Sequence, residues 1–204
     1  MTANLSKTAS AEFTAVLAQA AAAYRGLISD RPPEEVVVNA LLQAEKTAKQ
    51  QRLLYPFESL QGKWRLCFAT GTKKLAHRKG IALGKGFYVP KFARAQISFN
   101  TTTDVASRGE IGNSAQLGSV LLKLTGPAQY LGKKNLLAFD FTRMQISLFG
   151  RVVYSGQFPG SKAKDDNFYN QSIAKLPFFA FFLITEDFIA ARGRGGGLAL
   201  WIRS

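Results

Sequence analysis

The residues able to do chemistry are few and scattered. The single histidine, His77, lies in Lys73-Lys74-Leu75-Ala76-His77-Arg78-Lys79, where neighbouring cations disfavour its protonation. The single cysteine, Cys67, excludes an internal disulfide and a cysteine-based zinc site. Neither an HExxH nor a Gly-x-Ser-x-Gly motif is present. Gly80-Ile81-Ala82-Leu83-Gly84-Lys85 misses phosphate-loop spacing by a residue and lacks the following Ser or Thr. Glu186 and Asp187 form an acid pair, but neighbours on a strand point to opposite faces. Asp187 reads instead as half of a structural ion pair at a strand end, with Arg192 nearby in sequence. These patterns predict a protein that is not an enzyme and carries no metal or cofactor.

Charge and aromatic content point to binding. Lys and Arg number 27 against 13 Asp and Glu, a formal +14. Such a field draws nucleic acid, acidic proteins or anionic lipid headgroups, without choosing among them. Between Ser59 and Thr103 every charged side chain is a cation: Lys63, Arg65, Lys73, Lys74, Arg78, Lys79, Lys85, Lys91 and Arg94. Each Lys or Arg near an anionic membrane is worth about 1 kcal/mol, and Phe87, Tyr88 and Phe92 sit among them. The alternative for this segment is a solvated face that aids solubility. Ala191-Arg192-Gly193-Arg194-Gly195-Gly196-Gly197-Leu198 has the look of an RNA-binding RGG element. It occurs once, between strand-like runs, so a tight turn using Gly explains it better, and no nucleic-acid partner is expected.

The elements that would position these residues fall into two parts, 1–56 and 57–204. In the first, Phe13, Val16, Leu17, Ala20, Tyr24, Leu27 and Ile28 repeat at helical spacing, with Ser10 as an N-cap. Asp30-Arg31-Pro32-Pro33 stops that helix and opens a second, whose face is Val37, Leu41, Ala44 and Ala48. The rest reads as short strands. Trp64, Leu66 and Phe68 alternate with Lys63, Arg65 and Cys67, which turns Cys67 outward, under the helices. Further strands are predicted at 86–92, 94–100, 103–110, 117–125, 134–141, 144–149, 151–158, 180–191 and 197–203, with loops at 70–85 and 159–172. Strands in series with no helix between them predict a mainly β, antiparallel barrel or sandwich carrying a helical N-terminal pair. The longest apolar run, Phe178–Ile184, is too short to span a bilayer, which needs about 20 residues as a helix. No secretory signal is visible either, so a soluble or peripheral protein is expected.

Phe68, Phe99, Phe139, Phe141, Tyr154 and Phe181 lie on predicted strands with Trp64. Facing inward, they line either an apolar pocket or a filled core, and strand pattern alone does not separate the two. Trp64 reads either as a plug at the barrel's bottom, with Arg192 or Arg203 able to lie on its indole face, or as a plain core aromatic. Gly62 lets a neighbouring segment pass close.

Two stretches carry a family resemblance. Leu60-Gln61-Gly62-Lys63-Trp64-Arg65-Leu66-Cys67-Phe68-Ala69-Thr70-Gly71 resembles the L-x-G-x-W-x-L-x-Y-T-T opening of the plastid-lipid-associated (fibrillin) family's barrel. It also holds the Gly-x-Trp that lipocalins place on their first strand. Leu183-Ile184-Thr185-Glu186-Asp187-Phe188-Ile189-Ala190-Ala191-Arg192-Gly193-Arg194-Gly195-Gly196-Gly197-Leu198 is similar to the family's closing Y-L-D-E-D-L-R-I-x-R-G-x-G-G-S-L. The helices ahead of the barrel, with Leu42 and Glu45, match in layout. Ile189 stands where the family often has Arg, Phe182 or Leu183 where Tyr is common, and residues 71–180 match in strand pattern alone. The resemblance implies a lipocalin-like barrel of a cyanobacterial-type member, peripheral on the cytoplasmic side of thylakoid membranes. It implies an isoprenoid quinone, carotenoid or fatty acid as ligand, and structural roles for Gly62, Trp64, Asp187, Arg192 and Gly193. The membrane side would be the basic one, through Lys73, Lys74, Arg78, Lys79, Lys85 and Lys91. Two rival readings stay open: a scaffold with a filled barrel acting on a biosynthetic enzyme partner, and a nucleic-acid-binding basic barrel.

Overall fold

The computed structural model describes residues 2–71, 85–101, 107–161 and 165–204. Two helices lead the chain, α1 (Thr2–Arg25) and α2 (Glu34–Gln51). The backbone is already helical at Thr2, so Ser10 lies inside α1 and is not its N-cap. Phe13, Leu17, Ala20 and Tyr24 are buried as the spacing requires, whereas Leu27 and Ile28 lie past the helix end and are exposed. Gly26 ends α1 with φ +85°, the left-handed step a helix C-terminus favours. α2 begins after Pro33 with Glu34 and Glu35 in its first turn, where the dipole favours acids.

Among the described residues eleven strands follow: β1 (Gly62–Thr70), β2 (Gly86–Tyr88), β3 (Ala93–Thr101), β4 (Arg108–Leu117), β5 (Val120–Leu131), β6 (Leu136–Phe139), β7 (Arg143–Leu148), β8 (Arg151–Gln157), β9 (Phe178–Ile184), β10 (Phe188–Gly193) and β11 (Leu198–Arg203). Eight of them, in the order β1-β3-β4-β5-β6-β9-β10-β11, close into an antiparallel barrel with β11 back against β1. The fold is therefore the expected one, mainly β with a closed barrel and an N-terminal helical pair.

Several strand boundaries differ from expectation. The predicted strand 86–92 stops at Tyr88, because Pro90 has no N–H for a ladder and the chain jogs sideways into β3. The predicted 180–191 is two strands broken at Thr185-Glu186-Asp187, where Thr185 Oγ1 accepts the Phe188 N–H at 3.0 Å. The continuous apolar run hid that turn. The predicted loop 159–172 contains a 3₁₀ turn, Asp165–Asn170, whose Phe168 is fully buried with Ala138 and Leu176. The ARGRGGGL segment is the β10–β11 turn, with Gly196 at φ +85°.

Two pairing switches shape the barrel. On β1, residues 62–65 pair with β3, and residues 68–70 pair with β2. On β5, residues 128–131 pair with β6, whereas residues 120–125 pair with β7. Between β6 and β7 the chain crosses tightly over Gly126. A Cβ there would lie 2.1 Å from the Asp140 carbonyl oxygen, so only glycine admits the crossing. Beyond Gly126 the wall leaves the ring. The upper halves of β3, β4 and β5 continue with β7 and β8 as a sheet that flares from the barrel.

The helices pack on the outside of the wall formed by β2, β1, β11, β10 and β9. Their shared core joins Phe13, Leu17, Tyr24, Val37 and Leu41 to Cys67, Phe68, Phe182, Phe188, Leu200 and Ile202. The barrel interior is a second core.

Candidate apolar-ligand site

The bottom of the barrel is plugged by its own side chains. A 3₁₀ turn, Phe57–Leu60, enters below β1. Phe57 stacks on Tyr130 at 5.2 Å, and the Tyr130 hydroxyl donates to the Tyr55 carbonyl at 2.9 Å. Asn135 ties the same segment down: its side-chain amide donates to the Leu53 carbonyl, and its Oδ1 accepts the Tyr55 N–H. Trp64 is fully buried beside this plug and donates its indole N–H to the Leu60 carbonyl at 2.7 Å. The Arg203 guanidinium lies 4.2 Å from the indole centroid. Of the two arginines expected there, Arg203 supplies the contact and Arg192 does not. Gly62 has φ +117°, and a Cβ on it would approach Arg203 Nη1 at 3.1 Å. The segment passing Gly62 is thus the arginine that caps Trp64.

Arg192 points the other way. It lies on β10 between the inward Ala191 and the turn, so alternation sends its side chain out to α2. There its Nε donates to Glu45 Oε1 at 2.9 Å, its Nη2 donates to Glu45 Oε2, and Lys49 reaches the same carboxylate at 2.9 Å. The Arg192 bonds hold the Glu45 carboxyl below its ordinary range, against a burial that would raise it. The expected Asp187–Arg192 pair is corrected accordingly: Asp187 lies at the β9–β10 turn, 3.6 Å from Arg25 of α1.

Trp64, Phe99, Phe139 and Phe181 lie inside the barrel, with Phe141 and Phe179 packed against the same core half-buried. Their rings interlock. Phe99 meets Phe181 edge-on at 5.8 Å, Phe139 stacks on Phe179 at 5.1 Å and lies 5.2 Å from Phe141, and Phe179 meets Trp201 edge-on at 5.5 Å. The lower layers are closed, and the upper aromatic layer (Phe141, Phe179, Leu66 and Ala199) is left partly open.

Two expected members are elsewhere. A bulge between Leu66 and Phe68 puts two residues where alternation allows one. Phe68 therefore shares the outer face with Cys67 and packs under the helices, edge-on to Tyr88 at 5.1 Å. Cys67 does lie under the helices as expected, and burial pushes its thiol up to about 12. Tyr154 lies on β8, outside the ring, and is exposed.

Beyond the Gly126 crossing the flare carries apolar residues on the same face. On β5 the inward residues Tyr130 and Ala128 are followed, at the same alternation, by Leu124, Leu122 and Val120. Across the ladder these face Met144, Ile146 and Leu148 of β7, and Ile146 faces Tyr154. Leu122, Leu124, Met144 and Ile146 are half-buried. A second apolar surface, a β-ribbon, thus lies beyond the barrel's upper layer, separated from it by the Asp140–Thr142 backbone where it crosses Gly126. Sequence reasoning missed this ribbon, because strand pattern does not reveal that β5 changes partner midway. It also missed Trp201 and the Glu45 partner of Arg192.

Of the six basic residues expected to face a membrane, Lys73, Lys74, Arg78 and Lys79 lie outside the described residues, as does His77. Lys85 and Lys91 flank β2. Among the described residues no helix is long and apolar enough to cross a membrane.

Fold and interior together define a closed antiparallel β-barrel with an aromatic core and an outer helical pair. Such a barrel is compatible with an apolar guest. No protein-family model matches the chain, and no curated protein matches it.

Proposed function

We propose that this protein is a non-enzymatic carrier that holds one apolar molecule, of the isoprenoid, carotenoid or fatty-acid class, while attached to an anionic membrane surface. The observation that carries the reading is the half-buried upper layer of Phe141 and Phe179, with an apolar ribbon of Leu124, Leu122, Met144 and Ile146 just beyond the Gly126 crossing. A filled scaffold barrel has no use for such a ribbon outside its ring. A guest lying along it would gain about 25 cal/mol for each Å² of apolar surface removed from water. The formal +14 supports an anionic surface as partner. The fibrillin-like opening and closing segments support membership of that family, with photosynthetic membranes as the place of work. No atom in the aromatic interior need act as acid, base or nucleophile for this role.

Substitution on the ribbon tests it without touching the packed interior. Leu124→Asp puts a charge under the guest at a half-buried position. We expect a fluorescent fatty acid to bind the parent protein saturably and to be displaced by an unlabelled one. Its affinity should fall at least about tenfold in Leu124→Asp, because even one lost methylene-scale contact plus a desolvated carboxylate exceeds that step. Absence of any displaceable binding by the parent would end the carrier reading.

A further inference from the structure

The free end of the flared sheet carries a row of apolar side chains. The register lines them up: Phe92 precedes Ala93, Ala93 pairs with Leu117, Leu117 with Val120, Val120 with Leu148, and Leu148 with Arg151 beside Val152. Two hairpin turns, Gly118-Ser119 and Phe149-Gly150, thus stand side by side, joined by the Phe149 N–H donating to the Ser119 carbonyl at 3.0 Å. Leu117, Val120, Leu148 and Val152 are all exposed, and Phe92 and Phe149 are the most exposed, at 73% and 79%.

Phe149 adds an independent sign. It occupies the first position of a two-residue hairpin turn, with φ +49° ahead of Gly150 at φ +78°. Such turns favour Asn or Gly there, because a Cβ is strained at positive φ. An aromatic residue at a strained, solvated tip gains nothing inside the fold. Its side chain has a use only in something outside.

We infer that this rim is a wedge that inserts into the headgroup zone of an anionic lipid bilayer. The charge around it selects that partner. Lys91, Arg94 and Arg151 lie on or beside the row, Lys123 lies three residues in from it, and between Lys85 and Ser161 the chain has only three acids, Asp104, Glu110 and Asp140. Glu110 pairs with Asn100 at the opposite end of its strand, and Asp140 is buried. An apolar tip ringed by cations matches the boundary between acyl chains and anionic headgroups. The tips project, so they do not form a groove for a helix. The neighbouring edge strand β8 carries a bulge opposite Ile146 and Ser147, which disfavours pairing with a second copy. The inference rests on the carrier reading in one respect: insertion here would bring the apolar ribbon against the bilayer, where a guest can leave the membrane for the protein.

The test uses the full chain with Phe149→Trp and, separately, Phe92→Glu with Phe149→Glu. With vesicles of phosphatidylglycerol, the emission that Phe149→Trp adds over that of Trp64 and Trp201 in the parent should shift to the blue and be quenched by lipids brominated high on the acyl chain. The double Glu variant should lose at least about tenfold in vesicle partitioning, the effect of burying two charges where two aromatic rings were. It should bind fatty acid in vesicle-free solution as the parent does. A vesicle-bound Phe149→Trp protein whose added indole still emits to the red and stays open to aqueous iodide overturns the inference, as does a rim covered by self-association in sedimentation without vesicles. Loss of fatty-acid binding in the parent strikes the carrier reading alone, and lipid quenching then still upholds the wedge.

Discussion

Arg192→Ala is expected to cost about 3 kcal/mol of folding stability, the lower part of the range for breaking a buried ion pair. The Glu45 carboxylate is largely buried between α2 and the barrel wall, and Arg192 supplies two of its bonds. Removing the guanidinium strands that charge, with only Lys49 left to answer it. For a chain of this size the loss should lower the melting temperature by about 6–12 °C. The same change alters the acid response. Because the native Glu45 pKa is lowered, its contribution is fully present above the ordinary carboxyl value of 4.5 and is lost as pH falls through the lowered native value. Without Arg192 that contribution disappears, so acid unfolding should begin at higher pH. The double variant Glu45→Met with Arg192→Met should recover most of the stability at neutral pH, since no buried charge is then left unpaired. Thermal and acid melts followed by circular dichroism decide this. Unchanged melts in Arg192→Ala would mean that the helical pair is held by apolar packing alone.

Trp64→Ala should be as damaging, at about 3–5 kcal/mol, the usual cost of deleting a buried large aromatic side chain. Three losses coincide there. The indole volume beside the Phe57–Leu60 plug is vacated, the Leu60 carbonyl loses its donor, and Arg203 loses the ring it covers. Trp64→Phe keeps a ring under Arg203 and forfeits chiefly the bond to Leu60, worth about 1 kcal/mol or somewhat more when the acceptor stays buried. A denaturant titration should therefore rank the parent above Trp64→Phe and Trp64→Phe well above Trp64→Ala. Equal losses for the two variants would show that the N–H bond, not the plug, matters.

What the sequence discloses divides along physical lines. Local regularities were legible. The α2 face of Val37, Leu41, Ala44 and Ala48, the alternation that hides Trp64, and the Gly-rich turn after Arg192 all follow from spacing and propensity. Closure of the ring, with β1 against β11, follows from the resemblance of the two end segments. The misreadings arise where geometry breaks a simple period. One extra residue between Leu66 and Phe68 carried Phe68 from the expected interior to the helix side. A turn concealed in an apolar run split the predicted strand 180–191. Side chains of one strand also find partners far off in sequence: Arg192 reaches Glu45 of α2, and Asp187 reaches Arg25 of α1. The flare was illegible for the same reason, since nothing in Val120–Leu131 announces that its two halves pair with different strands. Tyr154, assigned to the barrel wall, belongs to the edge of that flare.

The claim on which the functional account stands is that an apolar guest sits against the upper aromatic layer. The chain has two tryptophans, so Trp64→Phe leaves Trp201 as the sole indole, within 5.5 Å of Phe179 in that layer. A conjugated-tetraene fatty acid absorbs where indole emits. Titrated into Trp64→Phe without vesicles, it should quench Trp201 by energy transfer to a plateau at one guest per chain, and unlabelled fatty acid should restore the emission. Trp201 fluorescence that never saturates, or that ignores the polyene altogether, would contradict the account.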